Sequence, residues 1–200
     1  AELATLMAQM RWGVTPLTSC FFDGCIENAR DMAQGTKYNI RTCGGTAFAN
    51  MIDCLAAIRD VVYEKREASL QEVIDAVKAN FEGHEELRRK LLAAPKHGND
   101  DPRLDGVIRA VERMRDEPMK EICRDPRDGT PFGNGHVVRS GAILGGLRTG
   151  ATPDGRKAGQ PLAGSVAASH AAERSGPTAL LNSILKTNAA KSWQCGYNVN

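Results

Sequence analysis

A stripe of apolar residues at helical spacing fills the middle of the sequence and limits the fold to one that packs long helices. Between residues 46 and 65 apolar side chains recur every three or four positions, which predicts a helix beginning at an N-cap on Thr46. The capping box Ser69-Leu70-Gln71-Glu72 predicts the start of the next helix. Similar patterns predict helices over about residues 2–10, 70–83, 84–93, 102–123, with a kink at Pro118, and 176–186. The central stripe consists of Phe48, Met51, Ile52, Leu55, Ile58 and Val62.

The residue composition changes after Cys123, where glycine and proline become frequent and the long stretches of helical apolar periodicity end. Residues 135–147 hold apolar runs bounded by glycines, which predict a buried strand. Residues 149–162 form a long loop, and a loop of that length inside a compact domain is usually functional. Residues 193–200 alternate like the beginning of a strand. These segments predict an α/β chain that is rich in helix.

The stretch Phe21-Phe22-Asp23-Gly24-Cys25-Ile26-Glu27 sets a thiol and a carboxylate two residues apart. In an extended or tip-of-loop backbone residues i and i+2 point to the same side, so Cys25 and Glu27 are predicted to share one pocket. Gly24 allows a turn there without steric cost. In such a pair the sulfur attacks or exchanges a hydrogen atom, and the carboxylate moves a proton best between apolar walls, for which the two phenylalanines are candidates.

The net charge of +2 is spread over interspersed acidic and basic residues, so no nucleic-acid or membrane surface is predicted. The sequence has no apolar run of the ~20 residues needed to cross a bilayer. The six cysteines show no CxxC spacing and no signal peptide precedes them, which favours free thiols in the cytoplasm. Their spacing gives no support to a zinc site. They are Cys20, Cys25, Cys43, Cys54, Cys123 and Cys195.

Three motifs, taken in order, resemble the glycyl radical enzymes of the pyruvate formate-lyase superfamily. They are Gly24-Cys25-Ile26-Glu27, Lys96-His97-Gly98-Asn99-Asp100-Asp101, and the run from Ala151 to Ala163 with Gly176-Pro177-Thr178-Ala179 after it. The resemblance implies a ten-stranded α/β barrel with the cysteine loop reaching its centre. It also implies that residues 1–200 are a single partial domain, the C-terminal portion of the barrel.

The same resemblance implies the chemistry. Cys25 matches the thiyl cysteine that takes hydrogen from substrate, and Glu27 matches the glutamate that transfers a proton. No bound cofactor is implied. The glycyl radical is expected on a domain missing from this chain, where a radical S-adenosylmethionine activating enzyme installs it. Pyruvate formate-lyase has two adjacent cysteines at this tip, whereas Ile26 follows Cys25 here, so dehydration of a diol or similar small polar substrate is favoured over acyl transfer.

The expected partners are a small-molecule substrate, the activating enzyme and the missing barrel and glycyl-radical parts, and a homodimer stays open. Three alternatives are weighed against the lyase: an acyltransferase, a non-catalytic assembly or relic fragment, and Cys-His hydrolysis. Hydrolysis requires a histidine beside Cys25, and no motif places one there. Asp154 and Arg156 are expected to pin their loop, and His97 and Asp100 to organise their turn. The histidines are His84, His97, His136 and His170.

Overall fold

The computed structural model describes residues 15–37, 41–44, 46–122, 132–135 and 140–187. The predicted helix at 2–10 and the predicted strand at 193–200 lie outside these residues. The chain divides into two compact units, which we call the first unit (Ala1–Cys43 with Asp116–Gly133) and the second unit (Gly44–Arg115 with Asn134–Asn200). That residues 1–200 form a single partial domain stays a prediction.

The first unit holds two one-turn helices, α1 (Pro16–Ser19) and α2 (Met32–Gly35), on either side of the cysteine loop. Proline at the first turn of α1 suits a position where no backbone N–H is needed. The Asp31 carboxylate joins the two helices, because it accepts from the Thr15 backbone N–H at 2.7 Å and from Ser19 Oγ at 2.9 Å. Strands β1 (Arg41–Gly44) and β2 (Phe132–Gly135) pair with each other.

The second unit is helical. Its described elements are α3 (Phe48–Ile58), which continues as a π-helical turn (Arg59–Glu64), α4 (Leu70–Lys78), α5 (Glu85–Ala93), a 3₁₀ turn (Pro102–Leu104), α6 (Asp105–Ile122), α7 (Ser140–Arg148) and α8 (Gly176–Leu185). Helix α6 runs into the first unit and continues through Pro118 without a break, so the predicted kink does not split it. Across the described residues no helix has the length and apolar character needed to cross a membrane.

Two apolar clusters form the core of the second unit, and helix α3 contributes to both. One cluster joins α3 to α6 through Phe48, Ile52, Ala56, Leu104, Val107, Ile108 and Val111, with Val166 and Ile184. The other joins the end of α3 to α4 and α5 through Ala57, Val61, Val73, Ala76, Phe81, Leu91 and Ala94. Each fully buried aliphatic or aromatic side chain adds about 1.5–3 kcal/mol to the hydrophobic driving force. Within the predicted stripe Phe48 and Ile52 are therefore core, whereas Met51 and Leu55 are exposed. Ala56, which the predicted stripe did not include, is buried beside them.

The helix starts show which local signals were sufficient. Ser69 caps α4 as predicted, because its hydroxyl accepts from the Glu72 backbone N–H at 3.2 Å while the Glu72 carboxylate accepts from the Ser69 N–H at 2.7 Å. The predicted N-cap at Thr46 is wrong. Ala47 occupies that position in a left-handed conformation, and Thr46 Oγ1 donates to the Ala163 carbonyl instead.

The predicted strand within 135–147 is wrong over 140–147, because residues 140–148 form helix α7, and its part at 136–139 lies outside the described residues. The small residues Ala142 and Gly146 lie one turn apart and face the loop at 160–162. The Leu162 N–H donates to the Ala142 carbonyl, and a Cβ on Gly146 would stand 2.3 Å from the Gln160 carbonyl oxygen. A short apolar run is compatible with either a strand or a helix. The close approach of this loop requires small residues four positions apart on one face, which is the spacing of a helix.

Candidate functional site

The loop that carries Cys25 is a series of tight turns. The Cys25 N–H donates to the Phe22 carbonyl at 3.2 Å, and the Cys25 carbonyl accepts from the Arg30 N–H at 3.0 Å. Gly24 has φ of +90°, and a Cβ there would lie 2.7 Å from the Gly35 carbonyl oxygen, so this position requires glycine. Of the two predicted backbones, an extended one is wrong, and a loop tip is observed. A turning backbone does not place residues i and i+2 on one side by its geometry alone.

The structure buries Cys25 and exposes its predicted partner. Cys25 is 3% exposed and lines a depression of about 260 Å³ together with Arg30 and Asp31, whereas Glu27 is exposed and does not line it. Phe21 is 81% exposed and Phe22 44% exposed, so neither ring walls this depression. Within the first unit the thiol and the acid are not brought into one pocket, and their catalytic roles stay a prediction.

The surroundings of Cys25 keep it protonated. Burial raises the pKa of the Cys25 thiol, and the carboxylates of Asp31 and Glu27 raise that pKa further. A nucleophilic cysteine requires the opposite arrangement, a cation or a helix N-terminus that lowers its pKa. A thiol that keeps its S–H bond is instead the starting form for hydrogen-atom transfer. The Cys25 site therefore suits radical chemistry better than hydrolysis.

The loop at 152–156 is built around a buried carboxylate in the second unit. Asp154 accepts from Asn50 Nδ2 at 2.7 Å, from Thr152 Oγ1 at 2.5 Å and from the Arg156 backbone N–H at 3.2 Å. The other end of the Asn50 amide accepts from the Ala163 N–H at 2.6 Å. Helix α3 thus contacts both Asp154 in this loop and Ala163, seven residues beyond it, through the single side chain of Asn50.

Arg156 is buried among carbonyl groups of its own loop. Its guanidinium donates to the carbonyls of Gln160, at 2.7 Å, Lys157, Thr149 and Gly150. Each of these bonds is charge-assisted and stronger than a neutral one. The prediction that Asp154 and Arg156 pin the loop is confirmed, although each residue does so through different partners.

The turn at 95–101 is anchored to helices on two sides. The His97 N–H donates to Asp53 Oδ1 at 2.7 Å, and His97 Nε2 lies 3.0 Å from the Val166 carbonyl, so Nε2 carries the proton. Asp100 accepts from Asn182 Nδ2 at 2.9 Å and pairs with Lys186 at 2.7 Å. The prediction that His97 and Asp100 organise their turn is confirmed.

Asp53 is the charged residue of this region that sequence reasoning missed. It is fully buried on α3, and besides the His97 N–H it accepts from Ser169 Oγ at 2.6 Å. Burial raises the pKa of Asp53 from its ordinary 3.8 to about 7, against the opposing charge of Lys96. Asn50 and Asp53 stand one turn apart on the apolar side of the stripe, and this polar interruption is the signal that was available.

The raised pKa of Asp53 predicts a stability that falls as pH rises. Between about pH 4 and pH 7 the folded protein keeps a proton on Asp53 that the unfolded chain releases, so raising the pH favours unfolding in that window. Asp53→Asn mimics the protonated acid and should remove this loss of stability, which amounts to on the order of 4 kcal/mol over the whole window. Urea unfolding of both proteins between pH 4 and pH 8 measures the difference. Equal slopes for the two proteins would show that Asp53 titrates normally.

No group of three or more His, Cys, Asp or Glu side chains suited to hold a metal ion occurs within the described ranges. Two ionisable groups in these ranges lie beside a cavity or depression instead: the Cys25 surroundings in the first unit and the Asp53, Lys96 and Asp154 group in the second.

Comparison with known proteins decides the family. The pyruvate formate lyase-like family model matches residues 4–131, which include the Cys25 loop and the 95–101 turn. The chain belongs to this family of glycyl radical enzymes. The Escherichia coli (strain K12) protein named Probable dehydratase YbiW is 36% identical over 87% of this chain and 22% of its own length. Isethionate sulfite-lyase of Oleidesulfovibrio alaskensis is 32% identical over 84% of this chain and 20% of its own.

A solved structure of this family gives the same result. The glycerol-bound form of the B12-independent glycerol dehydratase from Clostridium butyricum aligns with a TM-score of 0.80 and 31% identity, over 94% of this chain and 24% of that one. The chain therefore spans about a fifth of the length of the curated relatives that it matches. The resemblance carried by the three motifs is confirmed at the level of the family.

Proposed function

We propose that this protein is a glycyl radical lyase that dehydrates a small diol or a similar polar substrate, and that residues 1–200 contribute part of its ten-stranded barrel. Cys25 is the hydrogen-atom carrier and Glu27 the proton carrier. The observation that supports this most directly is the buried thiol of Cys25, whose pKa is raised, in a loop matched by the family model. The dehydratases among the relatives favour elimination of water.

The proposed reaction balances without an external oxidant. Cys25 gives its hydrogen atom to the glycyl radical that an activating enzyme installs elsewhere in the protein, and its sulfur then takes a hydrogen atom from the substrate carbon. Glu27 accepts the proton of the hydroxyl on that carbon, and the proton leaves with the neighbouring hydroxyl as water. The resulting carbonyl radical regains a hydrogen atom from Cys25, which yields an aldehyde and restores the sulfur radical.

The positions of Cys25 and Glu27 agree in part with these two roles. The carboxylate of Glu27 is close enough to raise the pKa of Cys25, so the acid and the thiol share one electrostatic environment. Glu27 is exposed within the first unit, where it can exchange protons with water or with a substrate hydroxyl. The buried S–H bond is shielded from solvent oxidants, as a hydrogen-atom donor requires.

Glu27→Gln tests the proton-transfer role. In the full protein, activated without oxygen and given glycerol or 1,2-propanediol, this variant should dehydrate about 10²–10⁴-fold more slowly, the usual contribution of a positioned acid or base. Its Cys25 should still exchange hydrogen with the substrate, so recovered diol should gain deuterium in D₂O. The matched control is Glu82→Gln, which changes an exposed glutamate of the second unit and should keep normal turnover.

Two outcomes would contradict the proposal. Full dehydration by Glu27→Gln would remove Glu27 from the mechanism. Formation of formate and an acyl thioester from pyruvate and a thiol acceptor, without dehydration of any diol, would favour the acyltransferase alternative.

A further inference from the structure

A cavity of about 280 Å³ opens in the second unit between α3, α5, the 154–156 loop and the segment at 169–174. Its charged lining consists of Asp53, Arg88, Lys96, Asp154, Arg156 and Arg174. Four cations thus face two carboxylates when both acids are ionised, and a proton on Asp53 would increase the excess of positive charge. An enclosed surface with this excess of positive charge attracts anions.

The two carboxylates are already occupied by protein donors. Asp53 accepts one hydrogen bond on each oxygen, from the His97 N–H and from Ser169 Oγ. Asp154 likewise accepts on both oxygens, as described above. The acids therefore offer little to a cation, and their main effect is to hold the walls of the cavity in place.

Lys96, Arg88 and Arg174, in contrast, have N–H donors that no described acceptor uses. Lys96 Nζ makes one hydrogen bond within the described chain, to the Leu91 carbonyl at 2.7 Å, and no ion pair there. Arg88 uses only Nε, which donates to the Gly155 carbonyl at 2.8 Å. The side chain of Arg174 donates to no described residue. A half-buried ammonium with a single acceptor is costly unless an anion or water completes its coordination.

We propose that this cavity binds a phosphate group, as inorganic phosphate or as a small phosphate monoester, through Lys96, Arg88 and Arg174. With both carboxylates ionised, a dianion matches the excess of two positive charges, whereas a monocarboxylate would leave one charge uncompensated. The two guanidinium groups offer the paired donors that suit phosphate oxygens. The cavity is larger than one phosphate ion, and Leu92 and Pro161 give it an apolar wall for a small organic part. This site does not depend on the proposed dehydration.

Calorimetric titration of the full protein with inorganic phosphate, in a buffer free of other oxyanions, tests the site. We expect saturable binding, which Lys96→Met should weaken at least about tenfold because one charged hydrogen bond is lost. Arg174→Gln should weaken it by about threefold to tenfold. Arg89→Gln removes an exposed cation next to Arg88 that does not line the cavity, and it should change the affinity by less than about twofold.

Several results would overturn the proposal. The absence of saturable phosphate binding is one, and an equal loss in Arg89→Gln and Arg174→Gln is another, since it would indicate a general charge effect. Acetate binding as tight as phosphate binding would contradict the assignment to a dianion. If Lys96→Met does not fold, Arg174→Gln decides alone, because that side chain has no hydrogen bond in the described structure to lose.

Discussion

Replacing Cys25 by serine is expected to abolish turnover of the activated protein. Serine differs from cysteine by one atom and has nearly the same volume in this buried position, so the fold should persist. An O–H bond is considerably stronger than an S–H bond, and a hydroxyl cannot exchange a hydrogen atom reversibly with an activated C–H bond. Since each ~1.4 kcal/mol added to a barrier slows a reaction tenfold, we expect a loss of more than about a thousandfold.

The measurement is aldehyde formation under anaerobic conditions, with thermal unfolding as the check on the fold. Cys20→Ser is the matched control, because Cys20 is a free, exposed cysteine that lines the same depression and whose thiol donates, among the described residues, to the Pro16 carbonyl alone. That variant should keep at least about half of the normal rate, as surface substitutions usually do. If Cys25→Ser retained full turnover, Cys25 could not be the hydrogen-atom carrier.

Most helices of the second unit could be predicted from the sequence because they carry their own local signals. The apolar face of α3 and the capping box of α4 are local patterns, and tertiary structure did not override them. Helix α7 shows where such patterns stop being sufficient. Its run Ala142-Ile143-Leu144 fits a strand or a helix. The contact of Gly146 with the loop at 160–161 decides between them, and the local sequence pattern does not reveal that contact.

The Cys25 site shows a second limit. The motif identified the residue and its family, but the spacing of Cys25 and Glu27 does not determine the backbone between them. The turns at 22–30 depend on Gly24 and on its contact with Gly35, eleven residues later. Sequence reasoning therefore identified a candidate thiol without predicting the turns of the loop that holds it.

The polar cluster of the second unit could not be found from local patterns at all. Its bonds join Asp53 to His97 across 44 residues, Asn50 to Asp154 across 104 and Asp53 to Ser169 across 116. Contacts of this range are set by how the helices pack. The single-residue signal, a polar interruption of an apolar stripe, indicates that Asn50 and Asp53 need partners without indicating which ones.

Asp154→Ala is expected to cause the largest loss of stability in the second unit. The substitution leaves the Asn50 amide, the Thr152 hydroxyl and the Arg156 N–H without their acceptor in a buried loop. Each unsatisfied buried donor costs about 1–3 kcal/mol, and removing one partner of a buried charged network typically costs about 3–5 kcal/mol in total. We therefore expect the free energy of unfolding to fall by about 3–5 kcal/mol.

Urea unfolding at fixed pH measures this change, and two further variants serve as references for its size. Asp75→Ala removes an exposed carboxylate of α4 that accepts only from Gln71 Nε2, so it should change stability by less than about 0.5 kcal/mol. Asp154→Asn keeps one acceptor oxygen and should fall between the two. A cost below about 1 kcal/mol for Asp154→Ala would mean that water replaces the lost acceptor and that Arg156, through its carbonyl partners, is sufficient to hold the loop.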